Sequence, residues 1–119
     1  NVRFMGKSNN VFEAIQKAKL FVLPSKYEGM PNALFEAMCI GLPVISTKVS
    51  GATDFISDGI NGMLVEHDNP KMLAGAIQTV LASDECQYSL AKEATKIVSK
   101  LNVASISNEW IELINNTVT

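Results

Sequence analysis

The sequence predicts an α/β fold, with three layers in the order α/β/α, a parallel sheet of about four strands and a helical carboxyl-terminal part. Short apolar runs alternate along the chain with segments in which apolar residues recur every three or four positions, a pattern typical of strands that alternate with covering helices. The chain has 119 residues, of which 47% are hydrophobic and 18% charged. This length and composition suit one folded domain that spans residues 1–119.

The predicted strands lie in the first half of the chain. They are expected at residues 2–5, 20–23, 44–47 and 63–65. The run 20–23 is apolar at every position and ends at Pro24, which is typical of a strand covered by helices on both faces. The pair Asn61-Gly62 before the last strand is compatible with a crossover connection and also with a hairpin turn, so both connections stay open at this point.

Helices are predicted between and after these strands. In the first half they are expected at residues 11–18, behind the capping residue Asn10, at residues 32–40, ended by Gly41, and around residues 54–56. The second half is predicted to be helical, with one helix that starts at Pro70 and is capped by Asp68 or Asn69, a second capped by Ser83 or Asp84, and a last one around residues 103–114. Trp110 belongs to the apolar face of the last helix and is expected to pack in the core.

Composition and charge argue against several classes of function. The formal net charge is −2, and the ten lysines and arginines are scattered, so a nucleic-acid partner is not expected. Histidine and cysteine lack the spacing of a metal site, and neither a metal nor another cofactor is expected. No apolar run approaches the ~18 residues of a membrane span. Because the chain does not begin with Met, we expect a piece of a longer protein. With no signal peptide recognised in the sequence, a cytoplasmic setting is the expectation.

One segment combines several features of a ligand site. It follows the second predicted strand, and ligands of parallel sheets bind at the carboxyl ends of the strands. Gly29 permits a tight turn and a close approach of the backbone to a ligand, and Pro31 suits the start of the next helix. The unpaired N–H groups at that helix start, aided by the helix dipole, favour an anion, for which a diphosphate is the natural candidate.

Two carboxylates flank this turn. Glu36 lies about one turn into the helix, among mostly apolar neighbours and with no basic residue at the positions that face it along the helix. A buried carboxylate without a partner is costly, and the adjacent hydroxyls of a ribose would satisfy it. Glu28 stands at the mouth of the expected crevice, where it would bond sugar hydroxyls or oppose positive charge at an anomeric carbon. From the residues alone, two alternatives stay open: Glu36 reaches solvent or a backbone amide, and Glu28 is a surface residue near Lys26.

These residues resemble a known family. The block Glu28-x7-Glu36, followed by Ala37-Met38 and residues 41–47, resembles the signature of family 4 glycosyltransferases. The resemblance extends back over residues 18–25, forward over residues 51–65 and to Trp110 in the closing helix. It implies a Rossmann-like fold and the carboxyl-terminal, donor-binding domain of a retaining enzyme of the two-domain GT-B type. Residues 28–38 are similar to bacterial enzymes that build surface polysaccharides.

The resemblance also implies residue roles. The donor would be a nucleotide-diphosphate sugar, with uridine as the expected base, bound without a metal. The expected site comprises Gly6, Lys7, Glu28, Gly29, Met30, Asn32, Ala33 and Glu36. Glu36 would hold the ribose hydroxyls, and the backbone amides of Asn32 and Ala33 would meet the diphosphate. Glu28 is the expected catalytic residue and, with the backbone of residues 29–30, would face the donor sugar, while the loop at residues 6–8 would border the base.

The resemblance sets limits as well. Pro31 and Asp54 stand where the family often has Gly and Glu, which predicts a narrower sugar pocket and a shorter arm at position 54. The acceptor-binding domain and the first part of the donor domain, with an Arg and a Lys that neutralise the diphosphate, are expected to lie outside this chain. The full enzyme is expected to work at the inner face of the membrane, and the isolated chain to be inactive; robust turnover in a transfer assay would refute this. Residues 103–114 lean on the other domain in the family, which here would favour self-association, and a monodisperse monomer in light scattering would argue against it.

Two other interpretations share the architecture. The first is a non-enzymatic, doubly wound regulatory module, such as a receiver-like or flavodoxin-like domain, but a receiver needs clustered aspartates at strand ends and none follow residues 2–5 or 20–23. The second is a sugar-nucleotide epimerase, which uses other carboxylates and histidines. The single histidine, His67, is expected in a solvated loop and weighs against the epimerase.

Overall fold

A computed structural model describes residues 2–9 and 11–98 of the chain. Within this range, helices and strands alternate before two consecutive helices end the description. The helices are α1 (Val11–Gln16), α2 (Asn32–Cys39), α3 (Ser50–Thr53), α4 (Pro70–Leu81) and α5 (Asp84–Ala94), and the strands are β1 (Phe21–Leu23), β2 (Val44–Thr47) and β3 (Met63–Val65). The α/β class predicted from the sequence is confirmed.

The described strands form one parallel sheet in the order β1-β2-β3. Phe21 lies opposite Val44, and Ile45 lies opposite Met63. Because β2 and β3 are parallel, the Asn61-Gly62 pair does not form a hairpin between them. Parallel strands bring their carboxyl ends together, so residues 24–31, 48–51 and 66–69 all leave the sheet at one end, the carboxyl end, and the opposite end is the amino end.

The core lies on both faces of β2. Val44 belongs to the apolar cluster that contains Leu34 and Met38 of α2. Its neighbour Ile45 belongs to a second cluster that contains Val80 of α4 and Leu90 of α5. Alternate side chains of a strand point to opposite faces, so the two clusters are separate helix layers. The predicted order of layers, α/β/α, is confirmed.

The predicted strand at residues 2–5 is wrong, and the described sheet has three strands rather than about four. Val2, Phe4 and Met5 are 84%, 95% and 68% exposed. A short strand needs a neighbour to satisfy its backbone groups and a surface to cover its apolar side chains. Neither lies beside residues 2–5 in the described range, since the described partner of β1 is β2.

Smaller differences concern element boundaries and burial. The short helix predicted around residues 54–56 is α3, at Ser50–Thr53, because the N–H groups of Ala52 and Thr53 both donate to Val49 O, each at 2.9 Å. Strand β1 begins at Phe21 rather than at residue 20. The side chains of β1 are partly buried rather than buried on both faces, because β1 is an edge strand of the described sheet and pairs with β2.

Local signals in the second half are confirmed. Asn69 caps α4, with its side chain accepting from Met72 N at 3.0 Å, and Ser83 caps α5, accepting from Cys86 N at 3.1 Å. Gly41 ends the region of α2 with a φ of 80°, a conformation that favours glycine. The predicted last helix and Trp110 lie outside the described residues.

Candidate functional site

The β1–α2 loop (residues 24–31) leads from the carboxyl end of β1 into α2. Its last residue, Pro31, is buried and has φ −78° and ψ 81°. At this position the N–H of Asn32 donates to Met30 O at 2.9 Å. These values describe a tight inverse γ-turn, for which the fixed φ of proline is suited. Proline therefore sets the angle at which the loop enters the helix.

The start of α2 has no side-chain cap. Of the two amides predicted to meet a diphosphate, that of Asn32 is engaged by Met30 O. The N–H of Ala33 makes no hydrogen bond to any described residue, and Ala33 is partly exposed. An unpaired N–H at a helix start, together with the helix dipole, favours a negatively charged group.

The prediction that Glu36 is buried is wrong. Glu36 is exposed, although Leu34, Phe35 and Ala37 beside it in the sequence are buried. Sequence neighbours on a helix point in different directions, and only residues three or four apart share a side. Asn32, one turn before Glu36, is exposed as well, so the two residues mark a strip of α2 that the described chain does not cover. The cost of burying a charge therefore gives no support for a ligand at Glu36.

Cys39 lies beside this strip, three residues after Glu36 on α2. Cys39 is partly buried and packs against the cluster around α2. Partial burial, and secondarily the nearby charge of Glu36, raise the pKa of the Cys39 thiol above its usual range. The thiol is therefore kept in its neutral form.

Glu28 is held in the β1–α2 loop rather than free at the surface. Its side chain is partly buried, and Ser25 Oγ donates to Glu28 Oε1 at 3.2 Å. Its backbone oxygen accepts from Gly51 N and from Ser50 Oγ, each at 3.4 Å. The residue lines an open depression at the carboxyl end, together with Lys26, Tyr27, Gly29, Lys48, Val49 and Ser50. Glu28 is therefore more constrained than a freely solvated residue, and its contact with a donor sugar stays a prediction.

Charged side chains cross-link the loops at the carboxyl end. Lys48 pairs with Glu66, and Lys26 pairs with Asp68 at 3.5 Å. The hydrogen bond and charge of Glu66 raise the pKa of Lys48, and those of Lys48 lower the pKa of Glu66. These four side chains are exposed or nearly so, and exposed pairs contribute little to stability, which leaves them able to rearrange.

His67 is more tightly held than predicted. The sequence indicates a solvated loop, but His67 is partly buried and its Nε2 lies 2.8 Å from Lys48 O. No group of three or more His, Cys, Asp or Glu side chains suited to a metal ion occurs in the described residues. No helix of the described chain is long and apolar enough to cross a membrane.

The structure leaves two predicted residues apart from the rest. Gly6 and Lys7 are exposed, and within the described residues no hydrogen bond or ion pair ties them to the β1–α2 loop. Gly6 has a φ of 67°, so a glycine suits this position for conformational reasons. Their predicted place beside a base stays a prediction.

The residues that brace the loop were missed by the sequence reasoning. Thr47, at the buried end of β2, donates its hydroxyl to Ser25 O, and Ser50 and Gly51 bond Glu28 O. The only local signal was a pair of polar residues, Ser46 and Thr47, at the end of a buried strand. Gly29, in contrast, has an ordinary negative φ and room for a side chain, so no feature of the described chain requires glycine there.

Comparison with known proteins decides the family. The model of the glycosyl transferases group 1 family matches residues 1–83. The chain belongs to the group 1 glycosyl transferases. Among the relatives, the Vi polysaccharide biosynthesis protein VipC/TviE of Salmonella typhi is 35% identical over 88 residues, which cover 74% of this chain and 14% of that protein. The GalNAc-α-(1→4)-GalNAc-α-(1→3)-diNAcBac-PP-undecaprenol α-1,4-N-acetyl-D-galactosaminyltransferase of Campylobacter jejuni is 32% identical over 114 residues, 95% of this chain and 32% of that one.

Solved structures of the same kind share the fold. A TarM mutant of S. aureus, in complex with fondaparinux, α-GlcNAc-glycerol and UDP, matches with a TM-score of 0.86 and 31% identity over 97% of this chain and 24% of that one. The carboxyl-terminal domain of the group 1 glycosyl transferase LpcC of Francisella tularensis matches with a TM-score of 0.73 and 25% identity over 85% of this chain and 52% of that one. The predicted glycosyltransferase resemblance is confirmed.

This group 1 glycosyl transferase chain spans a third or less of the two relatives' lengths. Family membership favours the transferase over the regulatory module and over the epimerase. The roles of individual residues are not tested by these matches.

Proposed function

We propose that this group 1 glycosyl transferase chain is the donor-binding domain of a longer, two-domain retaining enzyme and that it binds a nucleotide-diphosphate sugar at the carboxyl end of the sheet. One observation carries the proposal: the β1–α2 loop joins a held carboxylate, Glu28, to an uncapped helix start, and an exposed carboxylate, Glu36, follows one turn later on the same helix. Ligands of parallel sheets bind at this end.

Each part of such a donor has a candidate partner. The diphosphate would meet the Ala33 N–H, since the Asn32 N–H is engaged by Met30 O. The exposed carboxylate of Glu36 would accept hydrogen bonds from the two ribose hydroxyls. The donor sugar would lie in the depression beside Glu28, with the backbone of Gly29 and Met30. Gly6 and Lys7 remain candidates for the edge of the base pocket.

The chemistry follows from these positions. In a retaining transfer the bond between the anomeric carbon and the diphosphate breaks, positive charge develops on the sugar, and the diphosphate leaves with the electron pair. An acceptor hydroxyl oxygen bonds to the anomeric carbon and releases its proton. A carboxylate at Glu28 would oppose the positive charge, and a prearranged amide at Ala33 would stabilise the leaving group. No metal is expected to take part. Because the acceptor-binding domain and further basic residues are expected in the rest of the longer protein, the isolated chain should bind donor weakly and not turn it over.

The base, the pathway and the setting are inferred from relatives. UDP is the nucleotide in the TarM complex, and we infer a UDP-sugar here. The named relatives act in polysaccharide synthesis or on an undecaprenol-linked acceptor, which supports synthesis of a surface polysaccharide at the inner, cytoplasmic face of the membrane. The acceptor-binding domain of the same protein is the expected partner. Self-association through residues 103–114 stays a prediction for light scattering.

A binding screen tests the proposal. Nucleoside mono- and diphosphates are titrated into the 119-residue chain by NMR or thermal shift, with wild type and Glu36→Ala compared. We expect UDP to bind weakly, UMP to bind more weakly because it lacks the second phosphate, and Glu36→Ala to reduce both affinities. Equal binding by wild type and Glu36→Ala would contradict the ribose contact, and no binding of any nucleotide would contradict the proposed function of this chain.

A further inference from the structure

Gly51, at the start of α3, leaves no room for a side chain. A Cβ atom at this position would lie 2.4 Å from Gly29 O, 2.5 Å from Pro31 Cδ and 3.0 Å from Gly29 C. Ordinary contacts begin at 3.4 Å, so the β1–α2 loop would have to move by about 1 Å. Two of these three atoms belong to the backbone, which cannot turn aside as a flexible side chain does.

The same short segment also holds the loop by hydrogen bonds. Gly51 N and Ser50 Oγ both donate to Glu28 O at 3.4 Å. Three residues before Glu28, the backbone oxygen of Ser25 accepts from the Thr47 hydroxyl. The loop is therefore braced from residues 47–51 at both ends of its turn.

The residues that hold the loop are themselves fixed by the core. Thr47 is the last residue of the buried strand β2, and Ala52, next to Gly51, is fully buried in the cluster around α2. A collision at Gly51 would be relieved on the side that can move, which is the exposed loop of Tyr27 and Met30 rather than the core.

We propose that Gly51 is a positioning residue for the donor site: its missing side chain lets Gly29 O and Pro31 seat against α3, and this seating sets the direction of the Glu28 carboxylate and of the α2 start. The inference rests on the proposed function. It goes beyond it in assigning a role in the site to a residue that does not contact the ligand. A shift of about 1 Å in a supporting element is enough to weaken a preorganised site strongly.

Gly51→Ala in the 119-residue chain tests this, with two matched glycine controls. Gly62→Ala also causes a collision, at 2.9 Å from Val44 Cγ2 and 3.2 Å from Ile56 Cγ2, but at the amino end of the sheet. Gly75→Ala adds a methyl group in α4 that meets nothing within 4 Å. For each variant, the Kd for UDP is measured by NMR titration at a temperature where thermal unfolding shows the chain folded, and the amide signals of residues 25–36 are compared.

We expect Gly51→Ala to raise the Kd for UDP at least about tenfold and to shift the amide signals of Glu28 to Ala33. Gly62→Ala should lower Tm yet leave the Kd within about twofold, and Gly75→Ala should raise Tm slightly with an unchanged Kd. If Gly51 had only a structural role, Gly51→Ala would lower Tm, and its Kd for UDP would be no higher than that of Gly62→Ala. UDP binding that survives Gly51→Ala unchanged would overturn the positioning role while the proposed function stands.

Two further outcomes decide the remaining cases. If wild type does not bind UDP, the proposed function and the positioning role both fall. If Gly51→Ala does not fold, Ser50→Ala serves instead, because it removes the hydroxyl bonded to Glu28 O without a collision. We then expect shifted amide signals at Glu28 and Gly29 and an affinity lower by about twofold; unchanged signals and affinity would overturn the brace.

Discussion

The two ends of the sheet use their polar residues in opposite ways. At the amino end, Asn61 accepts from Ser57 N at 2.8 Å and donates to Phe55 O at 2.9 Å, and Asp58 accepts from Leu64 N at 3.0 Å. These side chains bond the backbone of their own turn. At the carboxyl end, Lys48 pairs with Glu66 and Lys26 with Asp68 across loops, and Glu36 is exposed. Glu28 is partly buried and accepts from Ser25, a side chain rather than a backbone group.

Under the proposed function, this difference separates polar residues that hold a turn from those that would meet the donor. Asp58-Gly59 and Asn61-Gly62 resemble Glu28-Gly29 in sequence, since each sets a polar residue before a glycine. The side chains of the first two pairs already bond backbone groups of the turn, so a ligand there would compete with bonds that hold the turn. The charges at the carboxyl end are solvated or weakly paired, so a ligand can replace water or a surface partner there at little cost.

The largest effect that would sharpen this comparison is expected at Glu36. Glu36→Ala should lower the affinity for UDP by about 10- to 100-fold, because a hydrogen bond to a charged group contributes about 1.5–3 kcal/mol. Stability should stay within about 0.5 kcal/mol, since the residue is exposed. NMR titration and urea unfolding measure the two quantities. The exposed Glu13→Ala serves as a charge-matched control, and an equal loss of affinity in both variants would break the comparison.

Asn61 should show the reverse pattern. Asn61→Ala removes both hydrogen bonds of the turn and should lower the free energy of unfolding by about 1–3 kcal/mol. UDP affinity should not change, because the turn lies at the amino end. The exposed Gln78→Ala on α4 is the control and should stay within about 0.5 kcal/mol. A variant that weakens UDP binding without unfolding would contradict the separation of the two ends.

Thr47 lies at the carboxyl end, but its hydroxyl bonds a backbone group, as the polar side chains at the amino end do. Thr47→Val keeps the shape of the side chain and removes the bond to Ser25 O, which should lower stability by about 1 kcal/mol. Thr79→Val, which loses only a bond to Gly75 O within the exposed side of α4, should cost less. Thermal unfolding of both variants checks the order, and equal costs would argue against a brace at Thr47.

The smallest effect concerns the Lys48–Glu66 pair and depends on pH. The pKa of Glu66 is lowered in the folded chain by the hydrogen bond and charge of Lys48, so its contribution is present above the ordinary value of 4.5 and is lost as pH falls through the folded pKa. The pKa of Lys48 is raised, so its contribution is present below 10.5 and is lost as pH rises further. Glu66→Gln should therefore lower Tm slightly near pH 7 and have no effect well below pH 4.5. A difference that grows toward low pH would contradict the pairing.

Features encoded by adjacent residues were predictable from the sequence. Asn69 and Ser83 mark the starts of α4 and α5 because a capping side chain reaches a backbone N–H only three residues ahead. The apolar run before Pro24 predicted β1. Gly29 and Pro31 in the loop that follows predicted the start of α2. The β1–α2 loop was singled out as the candidate site in this way, since the strand-end rule and the helix start are both local signals.

Features that depend on distant parts of the chain could not be predicted. Whether Glu36 is covered depends on which elements pack beside α2, and apolar sequence neighbours do not reveal it. The lack of room at Gly51 comes from Gly29 and Pro31, which are separated from it by one helix and one strand. Residues 2–5 have the pattern of a strand, but pairing needs a neighbour, and no described strand lies beside them.

The most direct measurement is a map of where UDP acts on the folded chain. Amide signals of the 119-residue protein are recorded by NMR while UDP is added. We predict that the largest changes fall on residues 28–36, at the loop and the start of α2, and that residues 57–62 at the amino end keep their signals. Changes centred on residues 57–62, or spread evenly over the chain, would contradict a donor site at the carboxyl end of the sheet.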